Sequence, residues 1–396
     1  MMRVTNNLLF KSGSMAMQNQ QQEILKVQEQ SLSGNRTNRP SDDPSGAYRH
    51  MIFSSDLSGV QSLKKTTQSS AERLTLADSH MSQLHDALLD AQDLVLQLGQ
   101  STVGGNPSTL KAAAQQPLAW YQDMITTANS ELDEVPLFGG GKGRAPFDPA
   151  NLTTTSVRVK HAGSGSLAEA GSGFVASVTD GQVPANMPLS VKITYLDATN
   201  QYQVDINGVQ QAPAALNDKG ELDLGQGVKF TATGTPQVGD AYFFEVIPQY
   251  QGGSEDRPIR VRQGEVLPGN VTGSELLEGT GEHARGVNLL GAMAALRGAL
   301  LRADTTEVAL QLNRVQEGRA QVSDLQGVTG IRNMQVQAVT ATLESDEASL
   351  TQVRADNVEA DMFKVLSDLE QASQAMQIMT STQRQVMNTS LIDFIR

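Results

Sequence analysis

Five histidines, two pairs of adjacent carboxylates and one glycine-rich run are the residues of this chain whose types could support chemistry. His50, His80, His85, His161 and His283 are scattered. His80 and His85 stand five positions apart, not the four that set two metal ligands on one helix face. Each histidine reads as a surface or seam residue. Gly163-Ser164-Gly165-Ser166-Leu167-Ala168 begins like a dinucleotide fingerprint, but no long helix follows it and no strand-helix-strand unit surrounds it. A pyrophosphate would find no helix terminus there, so the run reads as a loop. Asp42-Asp43 and Glu255-Asp256 lack the ligand spacing of a calcium loop, and turn or cap roles suit them better. Cysteine is absent, which excludes disulfides, thiolate zinc sites and a cysteine nucleophile. No enzyme, cofactor or metal site is expected.

One stretch remains with more charge than its surroundings explain. Residues 32–44 hold Arg36, Arg39, Asp42 and Asp43 between two helical patterns. Gly34 and Asn35 can end the first helix, because both tolerate a left-handed backbone. Ser41 or Asp42 can cap the next one, and Pro44 suits its first turn. The capping explains why the chain turns here. The charges predict pairing with a neighbouring subunit or with the acidic carboxy-terminal helix.

The elements that carry this loop follow from periodicity. Residues 4–32 read as a helix with a diluted heptad seam of Val4, Leu8, Met15, Leu25 and Leu32, too weak to order without a partner helix. Residues 47–98 form a strong coiled-coil seam through Val60, Leu63, Leu74, Ala77, Met81, Leu84, Leu88, Ala91, Val95 and Leu98, with Thr67 and Ser70 its polar members. Gly99, Gly104, Gly105 and Pro107 end it. A third helix is expected over 108–132, with Pro117 kinking it or starting a new one. Between 153 and 261 the period turns toward two, in runs at 157–159, 174–178, 190–195, 202–206, 229–232 and 241–246. Asn207-Gly208 marks a hairpin turn. Helical periodicity returns as an amphipathic segment at 287–301, then from Asp304 almost to the end. Its heptad frame slips by one residue in the acidic stretch 344–361, where a bend, loop or change of partner is expected.

The fold class is therefore α+β: a long antiparallel helical coiled-coil bundle formed by both chain termini, with a mostly β inserted middle domain. The expected boundaries are 1–150 for the amino-terminal helical half, 151–270 for the insert and 271–396 for the carboxy-terminal half. Aromatic content is 4% with a single tryptophan, as extended bundles closing on Leu, Val, Met and Ala require. Net charge is -13, which argues against nucleic-acid partners. Bases outnumber acids over 1–49 and acids outnumber bases over 344–396, so the ends should attract weakly. The start has no apolar core of a cleaved signal, and no segment is apolar enough to insert in a membrane, so any export is expected to use another route.

Met2-Arg3-Val4-Thr5-Asn6-Asn7, followed by Leu32-Ser33-Gly34-Asn35-Arg36-Thr37-Asn38-Arg39-Pro40-Ser41-Asp42-Asp43-Pro44, resembles the amino-terminal signature of the flagellin superfamily. The Arg-Pro-Ser-Asp-Asp-Pro form is nearer to its hook-associated protein 3 branch than to flagellin proper. Ala128-Asn129-Ser130 with Leu137-Phe138-Gly139 and Pro146-Phe147 is similar to the family's boundary between helical core and insert, although Leu132-Asp133-Glu134-Val135-Pro136 stands where the family has Asn-Gly-Arg-Tyr. Ala360-Asp361 and the closing Ser390-Leu391-Ile392-Asp393-Phe394-Ile395-Arg396 are similar to its paired carboxy-terminal helix. The resemblance implies uncleaved export through the flagellar type III apparatus with a chaperone. It implies self-assembly as an extracellular adaptor at the hook–filament junction, with hook-associated protein 1, flagellin and further copies of itself as partners. Arg36, Arg39, Asp42, Asp43, Leu391 and Phe394 would then be assembly contacts. A flagellin filament subunit is the nearest alternative, and an adhesion or ligand-binding module in the β insert is one of another class.

Overall fold

The computed structural model describes residues 2–36, 38, 39, 41, 43–99, 106–179, 187–197, 201–225, 227–262 and 264–395. Gly104 and Gly105, expected helix breakers, lie outside them. The fold is α+β. The helices are α1 (Met2–Ser33), α2 (Pro44–Gly99), α3 (Pro107–Ala113), α4 (Gln115–Ala128), α5 (Leu289–Leu301), α6 (Thr305–Leu310), α7 (Leu312–Val358) and α8 (Met362–Ile395). The chain divides into two compact units, residues 1–65 with 340–396, and residues 66–339.

In the first unit α1 lies antiparallel to α8, with Gln20 Nε2 donating to the Ala372 carbonyl at 3.2 Å. The seam of α1 differs from the expected one. Leu8, Met15, Leu25 and Leu32 face solvent, whereas Val27 is buried and Met17, Gln20, Ile24 and Ser31 are half-buried. The packed residues still recur at three and four, but two of them are polar, so hydrophobicity alone selects the wrong face. The heptad frame expected after the slip is Val358, Met362, Val365, Leu369, Ala372, Met376, Met379 and Val386. On α8, Val365 and Ala372 are buried and Leu369, Met376 and Met379 half-buried, but Met362 is exposed. The side chains of Val358 and Val386 lie outside the described residues. The start of α2 is held to the end of α7 by Lys64, whose ammonium lies 3.0 Å from Glu347 and 3.5 Å from Glu344.

In the second unit the strong seam of α2 is buried from Leu74 to Leu98, and Thr67 and Ser70 are buried with it. It packs with Val322 and Leu325 of α7. Gln326 Nε2 donates to Ser82 Oγ at 3.0 Å, and Asn333 Nδ2 to Thr75 Oγ1 at 3.4 Å. Those rungs run in opposite senses along the two helices, one heptad apart. The expected third helix is two, with Pro117 buried in the first turn of α4. Helix α5 is not amphipathic: from Leu289 to Leu300 every residue except Arg297 is buried. A helix apolar all round must be covered all round, and α5 touches α3, α4, α6 and two strands of the insert.

The insert is a sandwich. Its central strand, Ala241–Tyr250, pairs antiparallel with Leu189–Asp197 on one side and with Arg158–Lys160 and Phe147–Thr154 on the other. Gln201–Ile206 extends this sheet, and Asn207-Gly208 turns it back onto Val209–Gln210, with positive φ at both turn residues. A second sheet is formed by Glu221–Asp223, Val228–Ala232 and Phe174–Val178. Tyr242, Phe244 and Val246 of the central strand point into the sandwich, where Phe230 lies 6.2 Å from Phe244. The alternate residues face α5: Ile247 joins the helical core. Phe243 lies under Lys192 and Arg302, and Glu245 is bonded by Thr155 at 2.7 Å and by Arg158. Glu307, also buried, takes Arg302 at 2.7 Å and Lys192. Buried carboxylates need such partners; the Lys192–Glu307 pair ties α6 to the sheet, and Arg314 of α7 approaches Glu245 at 3.9 Å.

Three polar devices fix the chain where helices give way to the insert. The Asn129 side chain closes on Phe147 like a strand partner, accepting from its amide at 2.9 Å and donating to its carbonyl at 2.8 Å. Tyr250 Oη donates to the Phe138 carbonyl at 2.8 Å. The Arg73 guanidinium donates to the carbonyls of Leu132, Val135 and Pro136 at 3.0–3.1 Å. Those carbonyls belong to a hairpin turning on Asp133 and Glu134, with φ of 53° and 60°. Side chains pay strain in that region. Glu134→Gly is accordingly expected to stabilise the protein by about 0.5–1 kcal/mol, strain relief exceeding the entropic cost of glycine. A denaturant midpoint that falls instead would mean the Glu134 side chain itself holds the turn.

Candidate functional site

The charged loop predicted as an assembly element joins α1 to α2. Gly34 ends α1 with φ of 71°, its amide donating to the Gln30 carbonyl at 2.9 Å. This is the left-handed stop expected at that position. Gln30 Nε2 then reaches the Arg36 carbonyl at 2.7 Å, and Ser33 Oγ donates to Asn38 Oδ1 at 2.7 Å, folding the loop back on the helix end.

The cap of α2 is Asp43, rather than the expected Ser41 or Asp42. Its Oδ1 accepts from the Gly46 amide at 2.9 Å and from Ser45 Oγ at 2.8 Å, with Pro44 opening the helix. A Cβ on Gly46 would stand 2.4 Å from Asp43 Oδ2, so the cap needs glycine there. The Gly46 amide, then the Ser45 hydroxyl and the Arg36 and Arg49 charges, hold the Asp43 carboxyl below its ordinary value.

The arginines are exposed. Arg39 Nη2 lies 2.6 Å from Glu29 of α1, and Arg36 Nη2 lies 4.0 Å from Asp43. Exposed pairs of this kind add little to folding. Asp42 lies outside the described residues. So do the side chains of Leu391 and Phe394, whose backbone belongs to α8.

Opposite this loop the other half of the chain breaks too. Helix α7 ends at Val358, and the Asp361 carboxylate caps α8 by accepting from the amides of Phe363 and Lys364 at 3.0 and 3.2 Å. This is the discontinuity that the frame slip foretold. Asn35 and Glu359 form an antiparallel bridge, and the Ala360 amide donates to the Gly34 carbonyl at 2.8 Å. A groove of about 910 Å³ opens beside the junction. Lys26 and Arg36 line it from one side and Asp356, Glu359 and Asp368 from the other. Among the described residues no ion pair spans it, so the loop arginines are partnered within their own half of the chain. Sequence reasoning missed Glu29, Gln30, Ser33 and Glu359; only Gly34 and the frame slip signalled the two breaks.

Of the other candidate residues, His80 and His85 are half-buried on α2, each with a buried Nδ1 that has no hydrogen-bond partner among the described residues. His161 Nδ1 lies 3.2 Å from Asp240 in a turn, and Asp256 pairs with Arg332 at 2.9 Å. The run at 163–168 connects two paired strands, Arg158–Lys160 and Ala168–Glu169. Among the described residues no group of three or more His, Cys, Asp or Glu could hold a metal ion, and no helix is long and apolar enough to cross a membrane.

The depressed Asp43 carboxyl sets a pH dependence. A lowered folded value means that the cap's contribution is present above the ordinary aspartate pKa and is lost as pH falls through the folded one. The Gly46 and Ala47 amide resonances should therefore titrate below about pH 3.9. An inflection at or above that value would show that the cap does not form in solution.

The model of the family "Bacterial flagellin N-terminal helical region" matches residues 4–135. Flagellar hook-associated protein 3 of Salmonella typhimurium is 25% identical over 152 residues, which are 38% of this chain and 47% of that protein. The chain thus aligns with about half the length of that curated relative. Among solved structures, a flagellar hook-associated protein from Vibrio parahaemolyticus matches 80% of this chain and 100% of its own at 13% identity, with a TM-score of 0.49. Bacillus cereus FlgL matches 77% and 99% at 12% identity, with a TM-score of 0.42. Residues 4–135 thus match the flagellin amino-terminal helical region, and flagellar hook-associated protein 3 is among the proteins the chain is similar to.

Proposed function

We propose that this chain is a structural component of the bacterial flagellum, an adaptor at the hook–filament junction that joins hook-associated protein 1 to flagellin. The observation that carries this reading is the outward face of the two paired terminal helices. Leu8, Leu25 and Leu32 of α1 and Phe363 and Ile378 of α8 are exposed, Leu32 at 89% and Phe363 at 90%. Large apolar side chains gathered on one pair of helices mark a surface that another protein covers. The match of residues 4–135 to the flagellin helical region supports neighbours of the same architecture. In this reading the α1–α8 pair contacts adjacent copies in a ring, with the Arg36, Arg39, Asp42 and Asp43 corner, Leu391 and Phe394 as contact residues. The protein reaches its place outside the cell through the flagellar export apparatus, accompanied by a chaperone.

Deleting the gene in a motile host tests the role. Cells should lose filaments from their hooks and shed flagellin into the medium, whereas normal anchored filaments would sink the proposal. Antibody against the chain should label one point at the hook-proximal end of each filament; labelling along the whole filament would make it a filament subunit instead. Arg39→Glu, which places two acids side by side at Glu29, should weaken assembly and motility while the circular dichroism of the purified chain stays unchanged. Full motility in that variant would leave the corner a helix cap only.

A further inference from the structure

A cavity of about 530 Å³ lies at one end of the sandwich, a volume typical of small-molecule sites. Leu189, Val191, Ile206, Leu224, Val228 and Leu301 make its walls, with Asn207, Gln211 and Arg297 as its polar members. The chain as a whole is strongly acidic, yet among the described residues no acid lines this cavity.

Among the described residues its one charge is also without a counter-charge. Arg297, the single residue of α5 before Leu301 that is not fully buried, donates from Nη1 to the Pro188 carbonyl at 3.1 Å. Among the described residues no carboxylate pairs with it. Tyr121 is nearby, but its buried hydroxyl has no hydrogen-bond partner and burial pushes the phenol up, so it supplies no negative charge. Desolvation weighs on the guanidinium in turn. A half-buried cation left uncompensated is unfavourable, and an anion that reaches it from an apolar cavity restores the balance.

We propose that this cavity is a binding site for a medium-chain carboxylic acid, with its hydrocarbon tail along the walls made by Ile206, Val209, Leu224 and Leu301 at the end of the sandwich and its carboxylate on Arg297. A chain on the order of ten carbons suits a site of this volume. The proposal is independent of the flagellar reading, since it uses only the insert and α5, and not the α1–α8 pair on which that reading rests.

Titration of the full-length protein with decanoate, followed by calorimetry and by thermal unfolding, tests it. Saturable one-to-one binding and a raised melting temperature are expected. Octanoate, two methylenes shorter, should bind roughly tenfold more weakly. Decanol, which keeps the tail and lacks the charge, should lose at least about tenfold against decanoate. Arg297→Gln should lose as much while its ligand-free melting temperature is unchanged or higher. No saturable binding of decanoate, or equal binding of decanoate and decanol by the unaltered protein, would overturn the proposal whatever the variant does.

Discussion

The terminal helices can be ordered only in each other's company, and that constraint shapes the first unit. Helix α1 offers Val27 as its one fully buried apolar residue among those described, beside polar members such as Gln20 and Ser31. Such a face cannot offset the entropy of ordering a helix of this length alone. Once α1 and α8 lie side by side, an interruption in one must be met by an interruption in the other. A lone break would strand the carbonyls of one helix end and the amides of another. The chain meets this by breaking both strands of the pair at the same level. The Gly34 carbonyl, left over at the end of α1, takes the Ala360 amide, left over between α7 and α8.

The second unit answers to a different requirement. Helix α5 is apolar on every face, and so is the central strand of the insert over most of its length, so each needs cover on both sides. They supply it to one another. The strand sends Tyr242, Phe244 and Val246 into the sandwich and Phe243, Glu245 and Ile247 toward the helices. Glu245 and Glu307 are the polar exceptions. Each is approached by a basic side chain from the facing layer, Glu245 by Arg314 of α7 at 3.9 Å and Glu307 by Lys192 of the sheet, which fixes how the sheet sits on the helices.

Much of this is readable from residue order. The α2 seam is legible because Leu, Ala and Met recur there at three and four without competition, and the hairpin at Asn207-Gly208 because few dipeptides accept two positive φ angles. The two interruptions at 34 and 359 are also legible, one as a glycine stop and the other as a frame slip. Their pairing is not, since nothing local links Asn35 to Glu359. The face of α1 is misread because its apolar residues point outward and its packed face uses glutamine and serine. Helix α5 is misread as amphipathic because Arg297 and Gly291 look like a polar side, although Arg297 only lines a cavity and Gly291 is buried where Thr155 leaves no room for a Cβ. The cap at Asp43 is one residue from its expected place, a normal error for helix ends.

The pairing of α1 with α8 also fixes when the first unit can exist. Gln20 and the carbonyl it bonds are 352 residues apart. Helix α1 is made before its partner α8, so during synthesis it waits, unpaired, until the intervening residues have emerged. The intervening unit, whose contacts are nearer in sequence, can close in that interval and shorten the loop that remains to be joined. The order of assembly is thus written into the topology: the intervening unit first, and the pairing of the helices that flank it afterwards.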